Sequence, residues 1–287
     1  MPCRGRRWYP RGLSELVSRP LRLQVLEQLD EAPWLRRMHG NELEALVVRR
    51  WYAPELTRSL VTKLEAMPDH PLWQHRDHPN PNHPQIWTLG QPTSPSDVER
   101  AGADLARYFS DAAQLRQLLS DLFPREQPFE PRLAELLATL SGAVVGPALS
   151  HAAEPYGLAT VRRIPPGSGL PPHCENGYLN IPVHADLHDV VQLAQQMSFF
   201  MLLHPADAGG ELIVHERRWD GPTGAGKLAE LMLEPHLKVE LGPGDLVIFP
   251  SGRRFHSVLP VRGARTRWTL GGFCSYSPDE RRLLYWA

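Results

Sequence analysis

Residues 241–273 read LGPGDLVIFPSGRRFHSVLPVRGARTRWTLGGF, and this stretch decides the fold class. It contains three short apolar runs, DLVIF, HSVLPV and TRWTLGGF, separated by turns that are rich in glycine and proline. Short apolar runs bounded by turn residues are typical of β-strands. The stretch therefore predicts consecutive strands of an antiparallel sheet.

The same rhythm extends back to about residue 157. Four further runs precede the stretch: LATVRRI, MSFFMLL, ELIVHE and KVEL. Seven short strands in succession favour an antiparallel sandwich or barrel. We expect this antiparallel core over residues 151–287.

Residues 13–150 have a different pattern and are predicted to form a mostly helical support layer. Apolar residues at spacings of three and four predict a helix at 13–29, and further helices are predicted at 54–67, 96–123 and 131–140, with a strand near 43–51. The proline- and histidine-rich residues 68–85 are predicted to form an ordered loop. The fold class is therefore α+β in one compact unit, preceded by a basic tail at residues 1–12 that is expected to be mobile.

Composition narrows the function classes. The chain has 31 Lys and Arg against 32 Asp and Glu, so its net charge favours neither nucleic acid nor an anionic membrane as a partner. No stretch approaches the roughly 18 apolar residues that a membrane span needs. The three cysteines, Cys3, Cys174 and Cys274, are too few and too scattered for a disulfide framework, which favours a reducing compartment and, by default, the cytoplasm. We expect a small-molecule substrate and leave the oligomeric state open.

A metal site is predicted around His173 and Glu175, two residues apart in PPGSGLPPHCEN. On extended backbone, residues i and i+2 point to the same side, so both side chains can address one ion. His256 would supply a second imidazole from the far end of the sheet region. Two imidazoles and one carboxylate are the ligand set of non-haem iron(II) oxygenases, and they leave three positions open. Cys174 lies between two ligands, so its side chain should point the other way, into packing.

The order of the motifs resembles the double-stranded β-helix family of iron(II)- and 2-oxoglutarate-dependent oxygenases. RIPPGSGLPPHCEN is similar to the family's strand, Pro-Gly turn and His-x-Asp/Glu motif. GGEL at residues 209–212 resembles the turn and strand after the middle hairpin, and 241–273 resembles the closing half of prolyl-hydroxylase-like members. The resemblance implies iron(II) as the cofactor, 2-oxoglutarate as the co-substrate and O2 as the oxidant. It also implies a cation that holds the far carboxylate of 2-oxoglutarate.

Arg265 is the residue predicted to hold that carboxylate. It lies nine positions after His256 and two after Gly263, which is the spacing of prolyl-hydroxylase-like members. A planar guanidinium can grip a carboxylate with two hydrogen bonds. Arg267 shares the same strand face and is the reserve, and Thr269 on that face adds a hydroxyl.

Other motifs compete for a functional role. His184-x-Asp186 is a second His-x-Asp pair and an alternative metal motif, but it lacks a preceding Pro-Gly turn. If its loop folds over the iron, His184 or Asp186 would contact the substrate instead. The segment GPTGAGKL imitates a phosphate-binding loop, but Leu228 stands where Ser or Thr must reach magnesium. Asn176 is a candidate for binding a polar substrate, and turn capping is its alternative use.

The predicted activity is hydroxylation of an unactivated C–H bond in a free amino acid or a small natural-product intermediate. Halogenating relatives in the superfamily replace the metal-binding carboxylate with a small residue to make room for chloride, whereas Glu175 is retained here. Desaturation and ring formation stay open, because they depend on how the substrate is placed. The alternatives are a protein or peptide hydroxylase that docks its partner on residues 68–84, and a cupin-like barrel that binds metal without turnover.

Overall fold

The computed structural model of the chain describes residues 21–75, 85–90, 105–179, 185–221 and 230–287. The basic tail at residues 1–12, the central part of the proline- and histidine-rich stretch and all but the first residue of GPTGAGKL lie outside these ranges.

Two sheets account for the strands of the described residues. The strands are β1 (Leu23–Leu26), β2 (Ala45–Val48), β3 (Trp73–His75), β4 (Trp87–Leu89), β5 (Val144–Pro147), β6 (Thr160–Ile164), β7 (Leu170–His173), β8 (Met197–His204), β9 (Leu212–Arg218), β10 (His236–Val239), β11 (Leu246–Phe249), β12 (Arg254–Val258), β13 (Arg267–Tyr276) and β14 (Arg282–Trp286). The larger sheet has the order β1-β2-β11-β8-β13-β6-β4-β3, with β14 pairing β13 and β5. The smaller sheet has the order β10-β9-β12-β7. Each of the seven predicted runs coincides with or overlaps one of these strands.

Strand alternation explains how the two sheets face each other. In β8, Phe199 and Met201 point into the core beneath the helices, whereas Phe200 between them packs with the inward residues of the smaller sheet. Val247 of β11 and Val214 of β9 belong to this second cluster. Because successive side chains point to opposite faces, one apolar strand serves both layers. The larger sheet is therefore buried on both sides, and its inner face and the smaller sheet enclose the barrel interior.

The helices cover the outer face of the larger sheet. They are α1 (Trp34–His39), α2 (Pro54–Glu65), α3 (Leu105–Leu122), α4 (Phe129–Ser141) and α5 (Leu187–Val190). Pro54 starts α2 at its first position, where a missing N–H costs no hydrogen bond, and α4 ends at Gly142 in the left-handed conformation with φ 65°. Leucines of α2, α3 and α4 pack with β8, β11 and β13 in one core cluster. Nowhere in the described part of the chain is a helix both long and apolar enough to span a membrane.

The N-terminal half departs from the predicted support layer. The prediction of a helix at residues 13–29 is wrong where the structure describes it, because Leu23–Leu26 is a strand that pairs in parallel with β2. The predicted loop at residues 68–85 contains β3, which pairs with β4. β2 and β4 join β11 and β6 of the C-terminal half, so residues on both sides of position 150 share one sheet.

Candidate metal centre

β7 and β12 bring two histidines together across the smaller sheet. His173 and His256 are directly opposite each other in this antiparallel pair, and their ring centroids are 4.2 Å apart. His256 is buried, and its ring also contacts the ring of Phe249 from β11 at 4.9 Å. The pair therefore faces the barrel interior, since Phe249 packs with the inward residues of both sheets.

Glu175 completes the group from the short 3₁₀ turn that follows β7. Its backbone N–H donates to the carbonyl oxygen of Ser251 at 3.1 Å, which ties the turn to the chain just before β12. One carboxylate oxygen, Oε1, lies 3.9 Å from Nε2 of His173 and 3.7 Å from Nε2 of His256. The three ligand atoms all lie within 4.8 Å of one another, which is a spacing that one metal ion can bridge. Within the described ranges, this is the one group of histidines, cysteines and acids so arranged.

Cys174 lies between two of these residues and points away from them. Its thiol donates to the carbonyl oxygens of Ser251 and Gly252, each at 3.3 Å, and it packs with Phe255 and Leu231. Burial raises the pKa of the thiol to about 12. The side chain is thus a packing element, as the alternation of the strand predicts.

Backbone carbonyls fix which nitrogen of each imidazole is available to a metal. Nδ1 of His173 is 2.8 Å from the carbonyl oxygen of Pro171, and Nδ1 of His256 is 3.2 Å from that of Arg254. A carbonyl can only accept, so each Nδ1 carries the proton and each Nε2 presents its lone pair towards Glu175. This is the usual outer-sphere arrangement of a metal-binding histidine.

The protonation states suit a cation. Burial, together with the neighbouring His256, lowers the pKa of His173 to about 3, so its ring is neutral at pH 7. Burial by itself would raise the pKa of Glu175, but the adjacent imidazoles of His256 and His173 and the charge of Arg162 outweigh it and bring the pKa to about 2. A neutral ring at His173 and an anionic carboxylate at Glu175 are the kinds of ligand that a facial iron(II) site uses.

Arg265 and Arg267 lie in different surroundings. The side chain of Arg265 is 54% exposed and forms an ion pair with Asp207, whose carboxylate also accepts the backbone N–H groups of Ala264 and Arg265 at 2.7 and 3.0 Å. Arg265 therefore does not lie deep in the barrel, and the prediction that it holds the far carboxylate of 2-oxoglutarate there does not fit its position. The reason is local: Asp207 holds it in the turn, and β13 begins only at Arg267.

Arg267 occupies the buried position instead. The residue is 4% exposed, its Cδ lies over Gly210, and its Cζ stands 5.2 Å from the ring of Phe200. Burial and the like charge of Arg162 lower its pKa to about 9. Glu211 acts on it only through longer-range charge, and no described carboxylate forms an ion pair with it.

A line of aromatic contacts connects Arg267 with the histidine pair. The ring of Phe200 is 6.3 Å from that of Phe249, which in turn contacts His256. Thr269, two residues after Arg267, is buried on the same face of β13. The barrel interior thus has a metal-binding group at one end and a buried guanidinium at the other.

The remaining candidates lie elsewhere or serve the fold. Asn176 donates from Nδ2 to the carbonyl oxygen of Ala194 at 3.2 Å, which ties the metal motif to the next loop; a substrate contact stays a prediction. Asp186 accepts from the backbone N–H of His151 at 2.7 Å and is not part of the metal group, whereas His184 lies outside the described residues.

The sequence interpretation missed Arg162 of β6. It is opposite Thr269 of β13, and in addition to the effect of burial its charge lowers the pKa values of Glu175, His173 and Arg267. The alternation in LATVRRI put Arg162 and Arg163 on opposite faces, but did not show which of the two faces inward.

The comparisons with known proteins agree with this geometry. The family model described as carrier-protein-independent halogenase WelO5 matches residues 17–287. The chain belongs to this family. Membership confirms the prediction of an iron(II)- and 2-oxoglutarate-dependent oxygenase, with iron as the cofactor and 2-oxoglutarate as the co-substrate. No curated protein matches the chain significantly.

Solved structures of the same superfamily share the fold. An N-substituted L-amino acid dioxygenase from Burkholderia ambifaria AMMD, also solved with α-ketoglutarate, is 18% identical with a TM-score of 0.52, over 87% of this chain and 89% of that one. The carbocyclase SnoK from nogalamycin biosynthesis is 11% identical with a TM-score of 0.51, over 83% of this chain and 84% of that one. The epimerase SnoN from the same biosynthesis is 13% identical with a TM-score of 0.50, over 84% and 85%. The predicted double-stranded β-helix with helices on one side is confirmed.

Proposed function

We propose that the chain hydroxylates a C–H bond of a small organic molecule, and that it does so rather than halogenate its substrate. In this proposal His173, Glu175 and His256 hold iron(II), and Arg267, rather than Arg265, holds the far carboxylate of 2-oxoglutarate. Thr269 stands beside that carboxylate as a further hydroxyl donor.

The position of Glu175 carries the proposal. Iron(II) in such a site has six positions, and a facial triad of protein ligands leaves three. The co-substrates 2-oxoglutarate and O2 would need all of these open positions. A halide would need a fourth open position, which exists only if the carboxylate is missing. Glu175 is present and lies within 4 Å of both Nε2 atoms, so the family's name does not fix the reaction of this member.

The residues of the chain have separable tasks in this reaction. The carbonyl-anchored rings of His173 and His256 present fixed lone pairs, and Glu175 adds the negative charge. Arg267 is buried and stacked on Phe200, so it is positioned before the co-substrate arrives and is shielded from water. When bound, iron and 2-oxoglutarate supply the oxidation, in which O2 is consumed and succinate and CO2 are released.

The substrate is proposed to be a free amino acid or a small natural-product intermediate. A peptide substrate is the alternative, and the surface suggested for it, residues 68–84, falls largely outside the described residues. The cytoplasm as the location rests only on the scarcity of cysteines; Cys174 and Cys274 are both buried free thiols. The oligomeric state stays open.

Two measurements test the proposal. Anaerobic addition of 2-oxoglutarate to the iron(II)-loaded protein should give a weak visible charge-transfer band, and oxygen should then release succinate. If wild-type protein gives neither, the chain is a metal-binding barrel without turnover. A screen of amino acids in chloride buffer should yield products heavier by one oxygen; a chlorinated product from wild-type protein would refute the hydroxylase assignment.

The variant Glu175→Gly isolates the halide argument. It should lose hydroxylation by more than about a hundredfold, because iron loses one of its three protein ligands. It should also bind azide or chloride at iron, seen as a shift of the charge-transfer band that wild-type protein does not show. The control is Glu240→Gly, since the side chain of Glu240 is 78% exposed and is not part of the triad.

A further inference from the structure

The turn at residues 250–254 is bonded to the metal motif. It leads into β12, which carries His256, and the carbonyl oxygen of Ser251 accepts the backbone N–H of Glu175 at 3.1 Å. The carbonyl oxygens of Ser251 and Gly252 also accept the thiol of Cys174, each at 3.3 Å. The turn therefore holds the segment of one proposed ligand and precedes the strand of another.

The chain before β8 packs against the same turn. The backbone N–H of Gly252 donates to the carbonyl oxygen of Gln196 at 3.0 Å, and Nδ2 of Asn176 donates to that of Ala194 at 3.2 Å. A Cβ atom at position 252 would stand 3.0 Å from the Ala194 oxygen and 3.1 Å from Oδ1 of Asn176. The three segments are in close contact, so a displacement of the turn displaces the metal motif as well.

The side chain of Arg253 connects this turn to α1. Its Nη1 donates to the carbonyl oxygen of His39 at 2.6 Å and to Oε1 of Gln195 at 2.9 Å, and its Nη2 donates to the carbonyl oxygen of Met38 at 2.5 Å. Met38 and His39 end α1, and the last carbonyl oxygens of a helix have no partners within it. The guanidinium thus bridges α1 and the chain before β8 through oxygens of neutral groups.

Arg253 is charged in this environment. Burial and the like charges of Arg218 and Arg254 lower its pKa to about 10, so it is protonated at pH 7. Hydrogen bonds from a charged donor are stronger than those from a neutral one, and a planar guanidinium presents its N–H groups in fixed directions. Three such bonds restrict the movement of the turn.

We propose that Arg253 is a positioning residue for the metal centre: by holding the turn at 250–254 against α1, it fixes Ser251 and, through it, the position of Glu175 relative to His256. The inference rests on the proposed function and concerns its metal site. Without the guanidinium, the turn would separate from α1 and the three ligand atoms would be less well aligned. The consequence is weaker metal binding by a protein that is still folded.

Metal binding by Arg253→Gln, Arg253→Lys and Arg132→Gln tests the proposal. Arg132 is the matched control, because it is also half-buried and donates to a carbonyl oxygen and a glutamine oxygen, those of Trp51 at 2.9 Å and Gln127 at 3.4 Å. It belongs to α4, and its two partners lie just before α2 and α4.

Zinc(II) is titrated into the metal-free proteins in a calorimeter, and the visible spectrum of bound cobalt(II) reports the geometry of the ligands. Arg253→Gln should raise the Kd for zinc(II) by at least about tenfold and change the cobalt(II) spectrum, because the support of a ligand is lost. Arg253→Lys should recover part of the affinity, and Arg132→Gln should match wild-type protein in both measurements.

Thermal unfolding separates a positioning role from a merely structural one. Arg253→Gln and Arg132→Gln should both unfold at a lower temperature, because each loses hydrogen bonds from a half-buried guanidinium. Only Arg253→Gln should also lose metal affinity, measured well below both midpoints. Where Arg253→Gln does not fold, Arg253→Lys takes its place, with a smaller rise in Kd.

The inference is overturned if the folded Arg253→Gln binds zinc(II) with the wild-type Kd and an unchanged cobalt(II) spectrum, or if Arg132→Gln loses as much affinity. A wild-type Kd in Arg253→Lys overturns it where Arg253→Gln does not fold. If wild-type protein binds no zinc(II), the proposed metal site and the inference both fail. If it binds zinc(II) but its iron(II) form releases no succinate, only the oxygenase proposal fails, and the Kd values still decide on Arg253.

Discussion

At the scale of single residues, the start of β13 decides that Arg267 is buried in the barrel whereas Arg265, two residues earlier, is exposed. The spacing from His256 and Gly263 favoured Arg265 as the residue that binds 2-oxoglutarate. Spacing in sequence does not show that β13 starts at Arg267 or that Asp207 forms an ion pair with Arg265. The triad was predictable, because its members are fixed by a short motif and by strand alternation. Arg162 was not, because an isolated strand pattern leaves inside and outside undetermined.

The assignment of Arg267 predicts a large difference between two otherwise similar substitutions. Arg267→Met should raise the Kd of 2-oxoglutarate by about ten- to a hundredfold, because a buried charge-assisted pair is lost. Arg265→Met should change it by less than about threefold, since this side chain is exposed and bound to Asp207. Titration of both variants with 2-oxoglutarate decides the matter, and the reverse order would restore Arg265.

The pKa values of His173 and Glu175 predict how the metal-free protein responds to acid. His173 has a pKa of about 3 in place of 6.5, and Glu175 has one of about 2 in place of 4.5. Between each pair of values the unfolded chain binds more protons than the folded chain, so the free energy of unfolding decreases as the pH falls. His173 contributes to this loss between pH 6.5 and 3, and Glu175 between pH 4.5 and 2.

Urea denaturation at pH 7 and pH 4.5 checks this dependence. The midpoint of the metal-free wild-type protein should be lower at pH 4.5. In His173→Leu, which has no titrating ring at this position, the midpoint should fall less. An equally large drop in the variant would show that His173 does not titrate as described.

At the scale of elements, a buried ion pair connects the N-terminal half to the strand that carries His256. Glu44, just before β2, pairs with Arg254, the first residue of β12, at 2.8 Å, and both side chains are 9% exposed. The carbonyl oxygen of Arg254 in turn accepts the hydrogen bond from His256. The pair thereby connects the start of β2 to a metal ligand.

Breaking this pair should cost far more stability than removing it entirely. Glu44→Ala leaves a buried guanidinium without its carboxylate and should lower the free energy of unfolding by about 3–5 kcal/mol, whereas Glu44→Leu combined with Arg254→Met should recover most of it. Glu280→Gln is the comparison, because the Arg36–Glu280 pair is half exposed at 3.6 Å and should contribute at most about 1 kcal/mol. Urea denaturation measures all three, and equal losses for Glu44→Ala and Glu280→Gln would contradict the account.

Secondary structure was predictable from sequence where the apolar pattern fitted a strand but not a helix, or the reverse. DLVIF lies between Gly-Pro-Gly and Pro250, MSFFMLL is followed closely by Pro205, and both runs are strands. Residues 23–26 were assigned to a helix because their apolar residues also fit a helical period. Their conformation is set by parallel pairing with β2, a partner that lies about 20 residues away and that no local pattern reveals.

At the scale of the whole molecule, the two halves of the chain share the larger sheet. Three strands of the N-terminal half pair with strands of the C-terminal half: β2 with β11, β4 with β6, and β5 with β14. A fragment of residues 151–287 would expose these edges and the apolar face that the helices cover. We expect it to show no cooperative thermal transition and to bind a hydrophobic dye, measured by circular dichroism and fluorescence. A sigmoidal melt with retained iron binding would instead make the C-terminal half an independent domain.

Of the strands around the candidate metal site, β7 has the weakest backbone pairing. Among the described strands it lies at the edge of the smaller sheet and pairs with β12 alone, and two of its four residues, Pro171 and Pro172, have no N–H to donate. His173 is at its end, facing His256 on the partner strand. A cation bound by both rings would link β7 to β12 and so stabilise this edge of the barrel. Iron held by these rings as proposed would therefore stabilise the folded chain in addition to enabling the reaction, so that metal-free protein should unfold at a lower temperature than iron-loaded protein.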